Sequence, residues 1–382
     1  MRQMRESFLH RRIEKRKATG TFRVLPKAHE GLIDFLSNDY LGLSRNEDLQ
    51  HKVATAWDDL TTKGLGSTGS RLLSGNSELA EELEEMLAAT FRGETALLFN
   101  AGYNANVGVL SSIPERGDVI LYDELSHACI KDGVRLSIAD AFPFKHNDLN
   151  HLEEKIKRLS KGGKVFIVTE SLFSMDGDFA PIRALSELSL LYGAYLIVDE
   201  AHSTGVYGPA GAGWLVENDC EDVFARIYTF GKAIGNHGAC VVGSKALKAE
   251  LINTCRPFIY TTALPPHNLI SLSETFKFLK DRHDALFKIL NERIEHYNRQ
   301  MKEAGIVTQF NSISAIQPVA VPGNQALQQL SMALRESGFD ILGIRSPTVK
   351  EGMERLRICL HVYNTEEEIN SLADHLQHYL SS

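Results

Sequence analysis

At 382 residues, 43% hydrophobic and 24% charged, the chain can bury a large core and divide into two or three domains. Its net charge of −8 is spread along the sequence, which leaves no large basic face for nucleic acid and excludes that class of partner. No run of eighteen apolar residues is present to span a membrane. The basic segment Met1–Lys17 reads as an amphipathic helix without the apolar centre of a signal peptide.

In chain order, Ala96-Leu-Leu-Phe99 reads as a strand followed by a helix from near Asn104. Val119-Ile-Leu-Tyr122 precedes a second helix near Ser126. Lys164–Val168 is a third strand, leading to a helix over Pro181–Tyr192 with Pro in its first turn and Gly193 as its stop. Strands follow at Tyr195–Val198, Arg226–Phe230 and Ala239–Gly243. Short, continuously apolar strands separated by helices predict an α/β domain with a mostly parallel central sheet covered on both faces. A long helix over about 268–304 then leads to strands near Ser314–Val321 and Arg355–His361, in a β-α-β-α order. The last helix opens on the capping box Thr365-x-x-Glu368. These elements predict an N-terminal helix and arm over 1–45, a large α/β domain over 46–267, and a linking helix with a small α+β domain over 268–382. The five cysteines (129, 220, 240, 255 and 359) contain no C-x-x-C, a pattern expected of reduced thiols in a cytosol rather than of disulfides or a metal site.

Two motifs are decoys. Gly64-x-Gly66-x-x-Gly69 follows a polar stretch where a dinucleotide fingerprint needs a buried strand. Asp199-Glu-Ala-His202 imitates a helicase box, but the phosphate-binding G-x-x-x-x-G-K-[ST] that would accompany it is absent. A different constellation is more demanding. Lys232, in Thr229-Phe-Gly-Lys232, follows one apolar strand, and Asp199 closes another. In open α/β sheets ligands bind beyond the carboxyl ends of the strands. There a lysine can form a Schiff base with pyridoxal 5′-phosphate (PLP), and an aspartate can keep a pyridine nitrogen protonated. His202 could bond the ring oxygen, and His127 could stack on the ring. Amides at Ala101-Gly102-Tyr103, with Thr229, could take the phosphate. Singly, Gly102 reads as a turn glycine, each histidine as structural, and Arg357 as half of a surface ion pair.

Together these pieces resemble the α-oxoamine synthases, fold-type I PLP enzymes that join an amino acid to an acyl thioester with loss of CO2. The resemblance runs nearly end to end. It covers Ser37-Asn-Asp-Tyr-Leu-Gly42, Gly66-Ser-Thr-Gly-Ser-Arg-Leu-Leu-Ser-Gly75, Asp123-x-x-Ser126-His127-Ala128, His146-Asn-Asp148, Phe173-Ser-Met-Asp-Gly-Asp178, Asp199-Glu-Ala-His202 and Thr229-Phe-Gly-Lys232. Gly66-Ser-x-Gly-Ser-Arg71, Thr229-Phe-Gly-Lys232, Ser314-Ala-Ile-Gln-Pro318 and Ile344-Arg-Ser-Pro-Thr-Val349, leading to Arg355-Leu-Arg357, make it most similar to the branch that condenses L-alanine with a pimeloyl thioester. The alternatives are the branches that join glycine to an acetyl or serine to a palmitoyl thioester and, from another class, a non-catalytic PLP-fold binding protein.

The resemblance implies the PLP-dependent transferase fold type I and a catalytic set of Lys232, His127 and Asp199. It places His202 and Ser174 near the ring oxygen, and Gly102, Tyr103 and Thr229 at the phosphate. Thr262 would reach the phosphate from a second subunit, which implies a homodimer with shared sites. Arg357 would pair with the amino-acid carboxylate, where its planar fork suits bidentate binding, and Asn38 would lie near the substrate. Glu170 either assists proton handling or is structural. The acyl carrier is coenzyme A or an acyl carrier protein, and the expected location is the cytoplasm. One departure is Ala80, where many relatives carry a histidine, and it loosens the assignment to this branch, and with it acyl-chain specificity, but not the PLP chemistry.

Overall fold

The computed structural model describes residues 2–25, 31–61, 63–160, 162–306, 310, 312–346 and 348–380. Met1, of the N-terminal helix, and Pro347, of the 344–349 motif, lie outside the described residues. The chain divides into two compact units. One comprises 38–174 and 178–289, the other 1–37, 175–177 and 290–382.

In chain order the strands are β1 (Ile33–Asp34), β2 (Thr95–Phe99), β3 (Val119–Asp123), β4 (Asp140–Phe144), β5 (Val165–Glu170), β6 (Tyr195–Asp199), β7 (Ala225–Thr229), β8 (Ala239–Gly243), β9 (Ile316–Ala320), β10 (Phe339–Asp340), β11 (Leu342–Ile344) and β12 (Arg355–Cys359). The larger unit is built on a seven-stranded sheet in the order β2-β8-β7-β6-β5-β3-β4. All neighbours are parallel except β8, which runs antiparallel to both β2 and β7. Two separate apolar clusters pack on the sheet. One includes Leu97, Val109, Ile120, Phe166, Ile197, Ile227 and Val241, and the other Leu121, Leu152, Ile167, Leu185, Leu196 and Val198. Ile120 and Leu121, or Ile197 and Val198, thus serve opposite faces from adjacent positions, which is why these strands read as unbroken apolar runs.

The observed helices include Gly102–Ser112, Ala128–Leu136 and Ile182–Leu191. The last is shorter than expected, with Pro181 capping it from outside, and Gly193 beyond it has a φ of +59°. Strand β4 adds an element that periodicity did not predict. It forms the sheet edge, where Asp140 and Pro143 are tolerated because one side of the strand needs no ladder partner. The Gly64–Gly69 segment follows the helix Glu47–Asp58 and not a strand, as its polar approach indicated.

In the smaller unit, β12 lies between β11 and β9 in an antiparallel sheet, and β1 pairs in parallel with β10. The expected β-α-β-α order therefore gains short strands around 339–344. Helix Glu366–Leu380 opens with the capping box closed in both directions. Thr365 N–H donates to Glu368 Oε2 at 2.9 Å, and Glu368 N–H donates to Thr365 Oγ1 at 3.2 Å. The polar residues of the 314–318 motif bond to one another, with Gln317 Nε2 donating to Ser314 O at 2.7 Å. Among the described residues no helix is long and apolar enough to cross a membrane.

Candidate active site

The carboxyl ends of β5, β6 and β7 bring three sequence-predicted residues to one edge. Glu170 and Asp199 are paired across β5 and β6, and Thr229 ends β7. Asp199 is buried, and two donors fix its orientation. Asn106 Nδ2 donates to Oδ2 at 2.8 Å, and Ala201 N–H donates to Oδ1 at 2.9 Å. Asn106, on helix Gly102–Ser112, carries no local sequence signal, because its partner lies ninety-three positions away.

The same helix begins against Thr229. A Cβ built on Gly102 would fall 2.1 Å from Thr229 Cγ2, so only glycine lets the helix start approach the strand end this closely. Ala101, the residue before the helix, supplies no side-chain cap. The first-turn amides of Gly102 and Tyr103 therefore have no capping side chain and are suited to an anion. The Tyr103 side chain is turned to another task, its hydroxyl donating to Asp132. Thr262 is exposed, and its carbonyl accepts Asn100 Nδ2 at 2.7 Å, close in sequence to the helix start.

Lys232 sits in a turn between β7 and β8. Gly235, at φ +64°, closes that turn so tightly that a Cβ would meet Ser44 N at 2.4 Å. The 42–44 segment of the Ser37–Gly42 motif region thus braces the lysine turn. From the same motif, the Tyr40 hydroxyl donates to Asn38 Oδ1 at 3.1 Å and lies 2.9 Å from His202 Nδ1. Tyr40 links two predicted residues but was not itself singled out, since a buried tyrosine in a motif reads equally as core.

His127 caps helix Ala128–Leu136. Its Nδ1 accepts the Cys129 amide at 3.2 Å, and its own N–H donates to Glu170 Oε1 at 2.6 Å. Burial lowers the His127 pKa and the Lys232 ammonium acts in the same direction, while Asp199 opposes them. Glu170 is shifted the other way. Burial, followed by the Asp199 carboxylate beside it, pushes its pKa up to about 8, against the pull of Lys232 and the His127 amide. Two carboxylates at adjacent strand ends do not both ionise readily, which is the second cause of the Glu170 shift.

Glu200, the second acid of the Asp-Glu-Ala-His motif, is fully buried. It accepts Trp214 N and Leu215 N, each at 2.8 Å, and Ser171 Oγ at 3.1 Å. It ties down the 200–215 loop. Ser174 is half-buried in the turn following Phe173. Arg357 belongs to the smaller unit, where it is buried in β12 with Nη1 at 2.9 Å from Cys359 Sγ. Ala80 is buried in the helix Glu78–Thr90.

A buried strand-end carboxylate with its orientation fixed, a glycine-tight helix start and a lysine turn fit the ring nitrogen, phosphate and aldehyde of PLP. Comparison with known proteins agrees. The sequence model of the aminotransferase class I and II family matches residues 30–376. The chain belongs to this family. Within it the chain is an α-oxoamine synthase of PLP fold type I and a PLP-dependent acyltransferase-type enzyme. A Bacillus licheniformis relative, named provisionally as an 8-amino-7-oxononanoate synthase, is 40% identical over 97% of this chain and 96% of its own. The 8-amino-7-oxononanoate synthase of Chlorobaculum parvum is 38% identical over 97% and 98%. Among solved structures, the serine palmitoyltransferase of S. paucimobilis with PLP and myriocin bound is similar at a TM-score of 0.88, with 25% identity over 99% and 98% of the two chains. The 8-amino-7-oxononanoate synthase of Francisella tularensis gives 0.78, with 27% identity over 92% and 99%.

Proposed function

We propose that this α-oxoamine synthase condenses L-alanine with a pimeloyl thioester to 8-amino-7-oxononanoate, CO2 and free thiol, a step of biotin synthesis in the cytoplasm. The observation that carries this reading is the near-full-length identity of 38–40% to relatives bearing that name. When bound, PLP supplies an electron sink for the negative charge left at the amino-acid Cα. The remaining work falls to the chain's own side chains.

The Lys232 amine would hold the cofactor aldehyde, and as a free amine it would be the base that takes the alanine Cα proton. Asp199, oriented by Asn106 and the Ala201 amide, keeps the pyridine nitrogen protonated. His127, its Nδ1 engaged by the Cys129 amide and its pKa lowered by burial, would lay its ring against the cofactor. His202 and Ser174 serve the ring oxygen, while Thr229 and the amides of Gly102 and Tyr103 hold the phosphate. Arg357 takes the alanine carboxylate and Asn38 lies near the substrate. The orientation this gives the Cα–H bond can lower the barrier by several kcal/mol.

Thr262 acts on the phosphate of a second subunit. Tyr260, 71% accessible, lies two positions from Thr262, and Leu65 and Leu73, at 96% and 82%, lie on either side of Ser70, which bridges Thr262; these exposed apolar side chains support a partner copy of this chain. The acyl group arrives on coenzyme A or on an acyl carrier protein. A second reading, serine palmitoyltransferase, is favoured by the higher TM-score of that structure.

Turnover with alanine, glycine and serine, each paired with pimeloyl, acetyl and palmitoyl thioesters, tests the assignment. Alanine with pimeloyl should give the highest kcat/KM, and preference for another pair would overturn it. Mixed with PLP, the protein should show a visible absorbance band that Lys232→Ala abolishes. An unchanged band in that variant would refute the role of Lys232.

A further inference from the structure

The His146-Asn-Asp148 motif plays no part in the chemistry above, yet its geometry is unusually committed. His146 Nδ1 lies 3.0 and 3.1 Å from the two carboxylate oxygens of Asp123, and Nε2 lies 2.8 Å from Asp178 Oδ2. A neutral imidazole has one N–H, but here both ring nitrogens face carboxylates, so both must donate. His146 is therefore an imidazolium. Burial by itself would lower its pKa, and the bonds to Asp123 and Asp178 override this and carry it up to about 10.

The rest of the motif reinforces the clamp. Asn147, at φ +53°, donates its N–H to Asp123 Oδ2 and its side-chain Nδ2 to Asp178 Oδ2, both at 2.9 Å. Asp148 caps helix Leu149–Leu159 through the His151 amide.

Asp123 is the fixed end of the clamp, fully buried at the close of β3. Asp178 is the other end, and it belongs to a small hairpin. Phe173 N–H donates to Asp178 O at 2.9 Å, and Leu172 bridges Phe179. The hairpin springs from the sheet edge beside Asp199, with Ser171 N–H donating to Asp199 O at 2.9 Å. The Phe173 ring meets His146 edge-on at 4.5 Å. Both neighbours of His146 in this hairpin, Phe173 and Asp178, therefore flank the turn that begins at Ser174.

We propose that His146 is a positioning residue for Ser174: by bridging Asp123 and Asp178 as a cation, it fixes the hairpin that presents the Ser174 hydroxyl to the cofactor ring oxygen. This rests on the role given to Ser174 under Proposed function. A charged clamp holds a hairpin more stiffly than a neutral one, because charge-assisted hydrogen bonds are roughly twice as strong.

The test uses the PLP-loaded protein and the pH midpoint of its visible absorbance, which reports hydrogen bonding to the ring rather than stability. Ser174→Ala should move the midpoint by about 0.5–1 pH unit, the size of one lost hydrogen bond. His146→Gln should move it in the same direction by a similar amount, and the double variant should move it no further. If His146→Gln lowers the melting temperature but leaves the midpoint at the wild-type value, the histidine is only structural and the proposal fails. It fails equally if the two shifts add, or if Ser174→Ala moves nothing. Should His146→Gln not fold, Asp178→Asn removes one charge of the clamp and carries the same expectations. A wild-type protein with no visible band would overturn the PLP reading as well, which distinguishes the two failures.

Discussion

Replacing Gly102 by alanine should weaken both the fold and the grip on PLP, and the size follows from one distance. The new Cβ would lie 2.1 Å from Thr229 Cγ2 and 3.2 Å from Thr229 Cβ, whereas non-bonded carbons settle ~3.5–4.0 Å apart. Alanine for glycine in a compatible helix site normally stabilises by up to ~1 kcal/mol. Overpacking acts the other way and costs ~1–3 kcal/mol, because a strand end or a helix start must move by more than ~1 Å to restore contact distance. The overlap therefore wins, with a net loss of about 1–2 kcal/mol. Since Thr229 is the displaced group and is proposed to hold the phosphate, the PLP dissociation constant should rise by about tenfold. Thr229→Ser keeps the hydroxyl and deletes the clashing methyl, costing ~1 kcal/mol alone. Combined with Gly102→Ala it should recover ~1 kcal/mol or more relative to additivity. Urea unfolding of the cofactor-free protein and PLP titration of all four proteins measure both effects. A Gly102→Ala protein as stable as wild type, or one that Thr229→Ser does not rescue, would refute the close approach.

Two further outcomes follow from buried carboxylates. Glu170 has a folded pKa of about 8 against an ordinary 4.5, so the folded state binds its proton more tightly than the unfolded one. The stability this group contributes is full below about 4.5 and is lost as pH rises through about 8. Glu170→Gln has no such proton. Measured without cofactor, the variant should gain on wild type by at least ~1 kcal/mol between pH 5 and pH 8, and parallel stability curves would contradict this. Glu84 accepts Arg71 Nη1 and Lys248 Nζ, each at 2.8 Å, and Leu98 N at 2.9 Å, with only 3% of its side chain exposed. Glu84→Ala strands two cations and an amide and should cost ~3 kcal/mol in urea unfolding. Lys248→Ala, which leaves the Arg71 pair intact, should cost distinctly less; equal losses would show that the network is not centred on Glu84.

What could be read from the sequence depended on whether a residue's partner was local. Strands β5 and β6 were legible because both faces are buried, so Val165–Val168 and Leu196–Val198 admit no polar residue. The capping box at Thr365 was legible because its partner is three positions away. β4 was hidden because an edge strand tolerates Asp140 and Pro143, the residue types that argue against strand. The same division runs through the site. Lys232, Asp199 and His202 announce themselves by following apolar strands, and the wider motif set supplies their roles. Asn106 and Tyr40, which orient Asp199 and His202, reach their partners across 93 and 162 positions, and no spacing rule encodes such a pair. Gly102 shows the limit most clearly. Its sequence context is that of any turn glycine, and only the 2.1 Å approach to Thr229 explains why no larger residue fits. Groups proposed to touch the cofactor lie near strand ends and helix starts, where local pattern is strong. The groups that aim them come from elsewhere in the fold, where their contacts are set by tertiary packing.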